Sequence, residues 1–176
     1  AWACDTGKPV SKVGIAGRTE ATGRGIKYAL NAFFDCRIDL EKTGLSPGLK
    51  GKRVIVQGLG NVGYHAALFL SQEDSARITH VLERGGAIIN EQGIDIPALR
   101  GHILESGSIK GFPGFTEKGP ELLEAEADIL IPAAMELVIT EKNAANIKAP
   151  IIIEAANGPI SSNADKILNA KNKIII

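Results

Sequence analysis

Arg53-Val54-Ile55-Val56-Gln57-Gly58-Leu59-Gly60-Asn61-Val62-Gly63 sets a short apolar run directly against three spaced glycines. The run 53–57 reads as a strand buried on both faces, because apolar residues follow one another there without alternation. Residues after the glycines, through Leu70, have a helical pattern. Gly58 permits a tight turn, Gly60 lets the backbone approach a pyrophosphate, and Gly63 lets helix and strand pack closely. The start of such a helix offers free N–H groups and a partial positive charge to phosphates. A second strand is expected over 78–82, followed by Glu83. An acid about 20 residues beyond the glycines is placed to accept hydrogen bonds from an adenosine ribose, as dinucleotide-binding domains require. Strand, turn, helix and acid in register make dinucleotide binding the first functional expectation.

Outward from this unit the same alternation continues. Upstream, Ile26, Leu30, Phe33, Phe34 and Ile38 recur near helical spacing, which predicts a helix over 21–40 with Gly44 beyond its end. Downstream, Asp95 and Pro97 open a helix with Leu99, Ile103 and Leu104 inward, after turn-prone Arg84-Gly85-Gly86 and Gly93. Strands are expected at 129–131, ended by Pro132, at 151–153 and at 174–176. Thr140 is placed to cap a short helix, and Ser162 with Asp165 resembles a capping box. The acidic stretch 121–128 reads as a solvated helix face. Strands apolar on both faces, alternating with helices, predict a Rossmann-type, doubly wound α/β fold. Its sheet should be mostly parallel, with helices on both faces. The whole of 1–176 is read as a single dinucleotide-binding domain.

Composition narrows the alternatives. The 176 residues carry 20 Lys plus Arg and 20 Asp plus Glu, so no basic excess draws the chain to nucleic acid or anionic membrane. No stretch reaches the roughly 18 apolar residues of a membrane span. Cys4 and Cys36 have neither metal-site nor disulfide-framework spacing, which points to a reducing compartment and a cytoplasmic location. A terminal Ile174-Ile175-Ile176 strand with nothing after it suggests a piece of a longer protein.

Cofactor choice turns on two neighbours. Glu83 would repel the 2′-phosphate of NADP, which favours NAD, whereas Arg84 beside it is either a solvated cation or a partner for that phosphate. NAD is expected, with NADP use left open. His65 and His80 have no carboxylate or cysteine partner at catalytic spacing, His102 is read as a surface residue, and none of the three is expected to be catalytic.

Gly17-Arg18-Thr19-Glu20-Ala21-Thr22-Gly23-Arg24-Gly25 resembles the segment that opens the nucleotide-binding region of glutamate dehydrogenases. Thr6-Gly7-Lys8-Pro9-Val10-Ser11, Gln57 to Gly63, Ile131-Pro132-Ala133-Ala134 and Glu154-Ala155-Ala156-Asn157-Gly158-Pro159 resemble that family in the same order and spacing. Val13 stands where the family commonly has a glycine. The resemblance implies oxidative deamination of glutamate to 2-oxoglutarate and ammonia, in a homo-hexamer when full-length.

It also implies that Arg18 holds the substrate α-carboxylate, although an arginine capping local carbonyls would look the same in sequence. Thr22 would contact the nicotinamide end or serve as a helix N-cap. Asn61 and Val62 would lie by the phosphates and ribose, with Ala133 at a strand end facing the ligand. Asn157 would lie near the nicotinamide, or simply make an Asn-Gly turn. The catalytic aspartate and lysines of the family belong to a separate N-terminal domain with no counterpart in this chain, and Asp5 does not sit in the matching context. By itself the chain is therefore expected to bind cofactor without turnover. Another amino-acid dehydrogenase, or a non-catalytic dinucleotide sensor, is the competing reading.

Overall fold

The computed structural model of the chain describes Ser11 and residues 14–176. Cys4, Asp5, Val13 and the stretch from Thr6 to Val10 lie outside the described residues. In chain order, helices α1 (Arg18–Asp35) and α2 (Arg37–Glu41) lead into β1 (Arg53–Gln57), α3 (Asn61–Gln72), β2 (Arg77–Glu83) and β3 (Gly86–Ile89). Then come α4 (Ile96–Ser106), β4 (Phe115–Thr116), β5 (Ile129–Pro132), β6 (Ile151–Ile152), α5 (Ser162–Ala170) and β7 (Ile174–Ile175). They form one seven-stranded sheet in the order β4-β3-β2-β1-β5-β6-β7. β2, β1, β5, β6 and β7 run parallel, and β3 and β4 turn back antiparallel at one edge.

The run Val54-Ile55-Val56 explains the layering, because successive strand side chains point to opposite faces. Val54 and Val56 pack with Ile26, Leu30, Ala66, Leu70 and Leu99 from α1, α3 and α4. Ile55 packs on the other face with Leu82, Leu130, Ile152, Ala164 and Leu168. Each valine, leucine or isoleucine among them contributes about 1.5–3 kcal/mol by burial, so two cores built on one strand fix its place at the centre. Gly23 brings α1 against α3: a Cβ there would lie 2.5 Å from the His65 Cβ. Beside that contact Lys27 and Arg24 reach Glu73 at 2.6 and 3.3 Å, and the Arg24 guanidinium covers Phe69.

Several expectations need correction. The helix expected over 21–40 is two, because Cys36 is extended (φ −85°, ψ 95°) and interrupts the hydrogen-bond ladder. The edge strands β3 and β4 were not legible, because three apolar residues after a glycine turn carry no periodicity. Gly86 (φ 138°) starts β3 where its Cα packs on the Thr116 carbonyl, a contact any side chain would block. Leu104 on α4 is exposed rather than inward. Ser161, not Ser162, caps α5, accepting Ala164 N–H at 3.2 Å. Only the first four residues of the acidic stretch are helical, within a 3-10 turn over Pro120–Glu124. Asp128 instead accepts the Arg53 N–H at 2.7 Å and anchors the start of β1. No helix among the described residues is long and apolar enough to cross a membrane.

His80 on β2 is 4% exposed, with Nδ1 3.0 Å from Thr79 Oγ1. Burial holds its imidazole below the ordinary histidine range, against a smaller upward pull from Glu91. The unfolded chain therefore takes up this proton first, and stability falls as pH drops through the ordinary value of about 6.5 toward the depressed folded value. Urea unfolding between about pH 7.5 and 5.5 should show a loss that shrinks in His80→Gln; equal losses in both would remove His80 as the cause.

Candidate functional site

From β1 the chain moves one way to β2 and later returns to the other side of β1 as β5. That reversal opens a crevice at the carboxyl ends of β1 and β5, where open α/β sheets take their ligands. The loop Gly58-Leu59-Gly60 forms its floor. Gly58 sits at φ 91° and donates to the Leu82 carbonyl at 2.7 Å, while a Cβ on it would strike Ala134. A Cβ on Gly63 would run into the Gly58 carbonyl oxygen, so the first turn of α3 lies directly on the end of β1. Around Gly60 the corresponding space is open.

The Leu59 peptide is gripped from both sides. Its N–H donates to Glu83 Oε1, and its carbonyl accepts from Arg100 Nη1 at 3.0 Å. The Arg100 guanidinium, reaching over from α4, also lies 5.4 Å from the Tyr64 ring centre. Glu83 is thereby brought from the end of β2 onto the glycine loop.

Two cavities flank that loop. One, of about 640 Å³, gathers Thr22, Val62, Ala133 and Asn157 with Ile26 and Glu154. The other, of about 490 Å³, gathers Gly58, Gly60, Glu83 and Ala133 with Arg84, Arg100 and Ser108. Ala133 and Ala134 line both, so the two are neighbours along one crevice. Behind the Glu83 turn a third space of about 560 Å³ is walled by Leu82, Leu123, Met135 and Val138. The Gln57 Oε1 beside it is buried with no partner among the described residues.

Arg18 and Asn61 are set apart from these walls. Arg18 is the exposed first residue of α1, after Gly17 at φ 80°, and lines none of the three spaces. The Asn61 side chain donates to the Thr19 carbonyl at 2.6 Å and ties the start of α3 to the start of α1. Thr22 lies inside α1, whose N-cap position is Gly17, so the capping alternative for Thr22 fails. Gly158 at φ 55° makes the turn after Asn157, so turn and cavity wall coexist there. His65 and His102 contact the carbonyls of Asn61 and Lys110, and neither they nor His80 reach the crevice. Among the described residues no cluster of His, Cys, Asp and Glu could hold a metal ion. Arg100 was missed in sequence, since nothing in the spacing of α4 marks one arginine as facing a loop 41 residues earlier.

Comparison with known proteins adds an independent line. The sequence pattern of glutamate/leucine/phenylalanine/valine dehydrogenases matches residues 14–176. A probable glutamate dehydrogenase of Sinorhizobium fredii is 47% identical over 178 residues, covering 99% of this chain and 40% of that protein. A mitochondrial glutamate dehydrogenase of Dictyostelium discoideum is 48% identical over 176 residues, covering 99% of this chain and 35% of that protein. The chain thus spans 40% or less of the length of these two relatives. Among solved structures, the leucine-bound hetero-hexameric glutamate dehydrogenase of Thermus thermophilus superimposes with a TM-score of 0.83 at 29% identity. That match covers 97% of this chain and 38% of the other.

The glycines of the loop should separate by role. Gly63→Ala forces the α3–β1 contact apart and should cost about 1–3 kcal/mol or more, as overpacking does. Gly60→Ala meets open space and should leave the melting temperature within about 2 °C, since a compatible glycine replacement costs little. Equal losses in the two variants would refute the packing assigned to Gly63.

Proposed function

Because the chain belongs to the glutamate/leucine/phenylalanine/valine dehydrogenase family, we propose that it is the nicotinamide-dinucleotide-binding part of a glutamate dehydrogenase. The reaction proposed is oxidative deamination of L-glutamate, with water, to 2-oxoglutarate and ammonia. One observation carries the dinucleotide reading: the Glu83 carboxylate accepts the Leu59 N–H and so stands over the glycine loop at the strand-end crevice. The open space at Gly60 fits the close approach of a pyrophosphate, and Gly58 and Gly63 let the turn and the helix pack closely enough to present it.

Bound there, the nicotinamide would supply the hydride acceptor, which is the cofactor's own chemistry. The chain's residues do the placing. Glu83 accepts hydrogen bonds from the adenosine ribose hydroxyls. The first N–H groups of α3, at Asn61, Val62 and Gly63, face the phosphates without intrahelical partners. Thr22, Val62, Ala133 and Asn157, which share one cavity, hold the nicotinamide end. Arg18 at the mouth of α1 takes the substrate α-carboxylate, which a guanidinium grips bidentately, so that the Cα hydrogen faces the ring. The base and the carbonyl-polarising group are assigned to a separate N-terminal domain, which makes residues 1–176 alone a cofactor binder without turnover.

NAD is the cofactor assigned first, because Glu83 disfavours an added 2′-phosphate. The working assembly is proposed to be a homo-hexamer. A reducing compartment, the cytoplasm in the first instance, suits the exposed free thiol of Cys36; the Dictyostelium relative is described as mitochondrial.

The assignment predicts glutamate-dependent formation of reduced nicotinamide by the protein that carries this chain, with far less from leucine, phenylalanine or valine. Arg18→Ala in that protein should lower kcat/KM for glutamate by the equivalent of about 2–5 kcal/mol, the loss when a desolvated charge partner is removed. NADH affinity should stay within about twofold, and Arg18→Lys should rescue only in part, because an ammonium lacks the bidentate fork. Steady-state kinetics with an NADH titration decides it. A kcat/KM within about twofold of wild type, some 0.4 kcal/mol, would show that Arg18 is not a substrate ligand.

A further inference from the structure

We propose that Glu73 is a positioning residue: by clamping Lys27 and Arg24 it sets where α1 lies along α3, and so where Thr22 stands at the nicotinamide end of the crevice. The inference rests on the dinucleotide reading above and deepens it, naming what holds one of the assigned groups in place.

Helix spacing divides the faces of α1. Gly23, Lys27 and Asn31 recur every four residues, and their stripe meets α3 and the turn after it. Thr22 and Ile26, each one residue earlier, form the neighbouring stripe and line the cavity of about 640 Å³. Whatever fixes the first stripe therefore fixes the second. Ile26, Leu30 and Phe34 bury α1 in the core, but apolar burial is non-directional and leaves slide and rotation loosely set. The joints at its ends add little, since Gly17 at φ 80° has open space where a side chain would lie and Cys36 is extended. At the start of α1 a single bond from Asn61 reaches the Thr19 carbonyl. Gly23 permits close approach to His65 and Ala66 without gripping them.

The grip comes from the two acids at the end of α3. Lys27 Nζ lies 2.6 Å from Glu73 and 3.8 Å from Asp74, and Arg24 Nη1 lies 3.3 Å from Glu73. Asn31 Nδ2 lies 3.4 Å from Asp74, and the Arg24 guanidinium lies 3.8 Å above the Phe69 ring. The Lys27 and Asp74 side chains are only 13% and 14% exposed. This is a partly desolvated network rather than an isolated surface pair, and in networks ion pairs acquire weight. The Lys27 hydrogen bond holds the Glu73 carboxyl below its ordinary range, and Glu73 in turn raises Lys27, so both stay charged through neutrality. For α3 itself the acids are adverse: its last turn has no basic residue, and negative charge at a carboxyl end opposes the helix dipole. The cations of α1 offset that cost and tie the two helices in one register.

The test uses the protein that carries this chain. Fluorescence titration with NADH is compared with competition by ADP-ribose, which lacks the nicotinamide, and with steady-state kinetics on glutamate. Glu73→Gln keeps size and removes charge. It should weaken NADH about threefold or more, the worth of one hydrogen bond at the nicotinamide, with ADP-ribose changed less than about twofold. kcat for glutamate should fall about tenfold, as a misplacement on the order of 1 Å can cause. Lys27→Met should give the same split, and Glu73→Asp, which keeps the charge on a shorter stem, should lie between Glu73→Gln and wild type. In a Thr22→Val background Glu73→Gln should change kcat and NADH affinity less than about twofold further, because the group it positions is gone; independent sites would multiply.

Multiplying effects in that background would overturn the proposal. So would equal weakening of NADH and ADP-ribose, which would make Glu73 a general brace, and so would no change in either. Wild-type protein that binds NADH without oxidising glutamate would overturn the substrate reading and leave the NADH and ADP-ribose comparison to decide Glu73. Wild-type protein that binds neither would overturn both.

Discussion

Helix α3 rests on strand β1 through a backbone contact: Gly63 has no side chain, and the space a Cβ would need is taken by the Gly58 carbonyl. Everything around the crevice depends on that closeness. With α3 held down, its free N–H groups open onto the strand ends. The intervening loop is short enough for its middle residue, Leu59, to be reached by Glu83 from β2 and by Arg100 from α4. A methyl group at Gly63 would lift the helix and loosen both grips at once.

Around this contact the charges are distributed unevenly. At the β2 end the loop faces one carboxylate and two guanidiniums, all lining one cavity. At the other end Thr22, Val62, Ala133 and Asn157 share a wall with two carboxylates, Glu136 and Glu154, and no cation. An elongated ligand with a charged middle and two different ends suits such a crevice better than a compact one. The antiparallel pair β3–β4 has a part in this, since Glu83 pairs with Gly86 in the register of β2 and β3, which closes the turn that carries Arg84. Asp128, by bonding to the Arg53 N–H, holds the far end of β1 in line with β5.

The sequence by itself determined the central unit. Val54-Ile55-Val56 allowed only a strand covered on both faces, and the glycines after it allowed only a tight turn into a helix. Both requirements are local, so periodicity and spacing reveal them. A mostly parallel sheet followed, as did the place of Glu83 at the end of the second strand. Family likeness of the segments at 17–25, 57–63, 131–134 and 154–159 was legible because each is a short contiguous run.

Tertiary structure alone decided the rest. The edge strand β4 forms where Phe115 and Thr116 pair with Ile88 and Ala87, residues too far apart in sequence to leave a pattern. Cys36 breaks the first helix, and Asp128 leaves the acidic stretch to cap β1, although neither has a local signature. Arg100 joins the loop only because α4 packs beside α3, which no spacing within α4 announces. Thr22, Ala133 and Asn157 share one wall, while Arg18 stands outside it. Short-range hydrogen bonding and side-chain period write elements into a sequence. Which side chains from different elements meet depends on how those elements pack, and packing is a property of the whole chain.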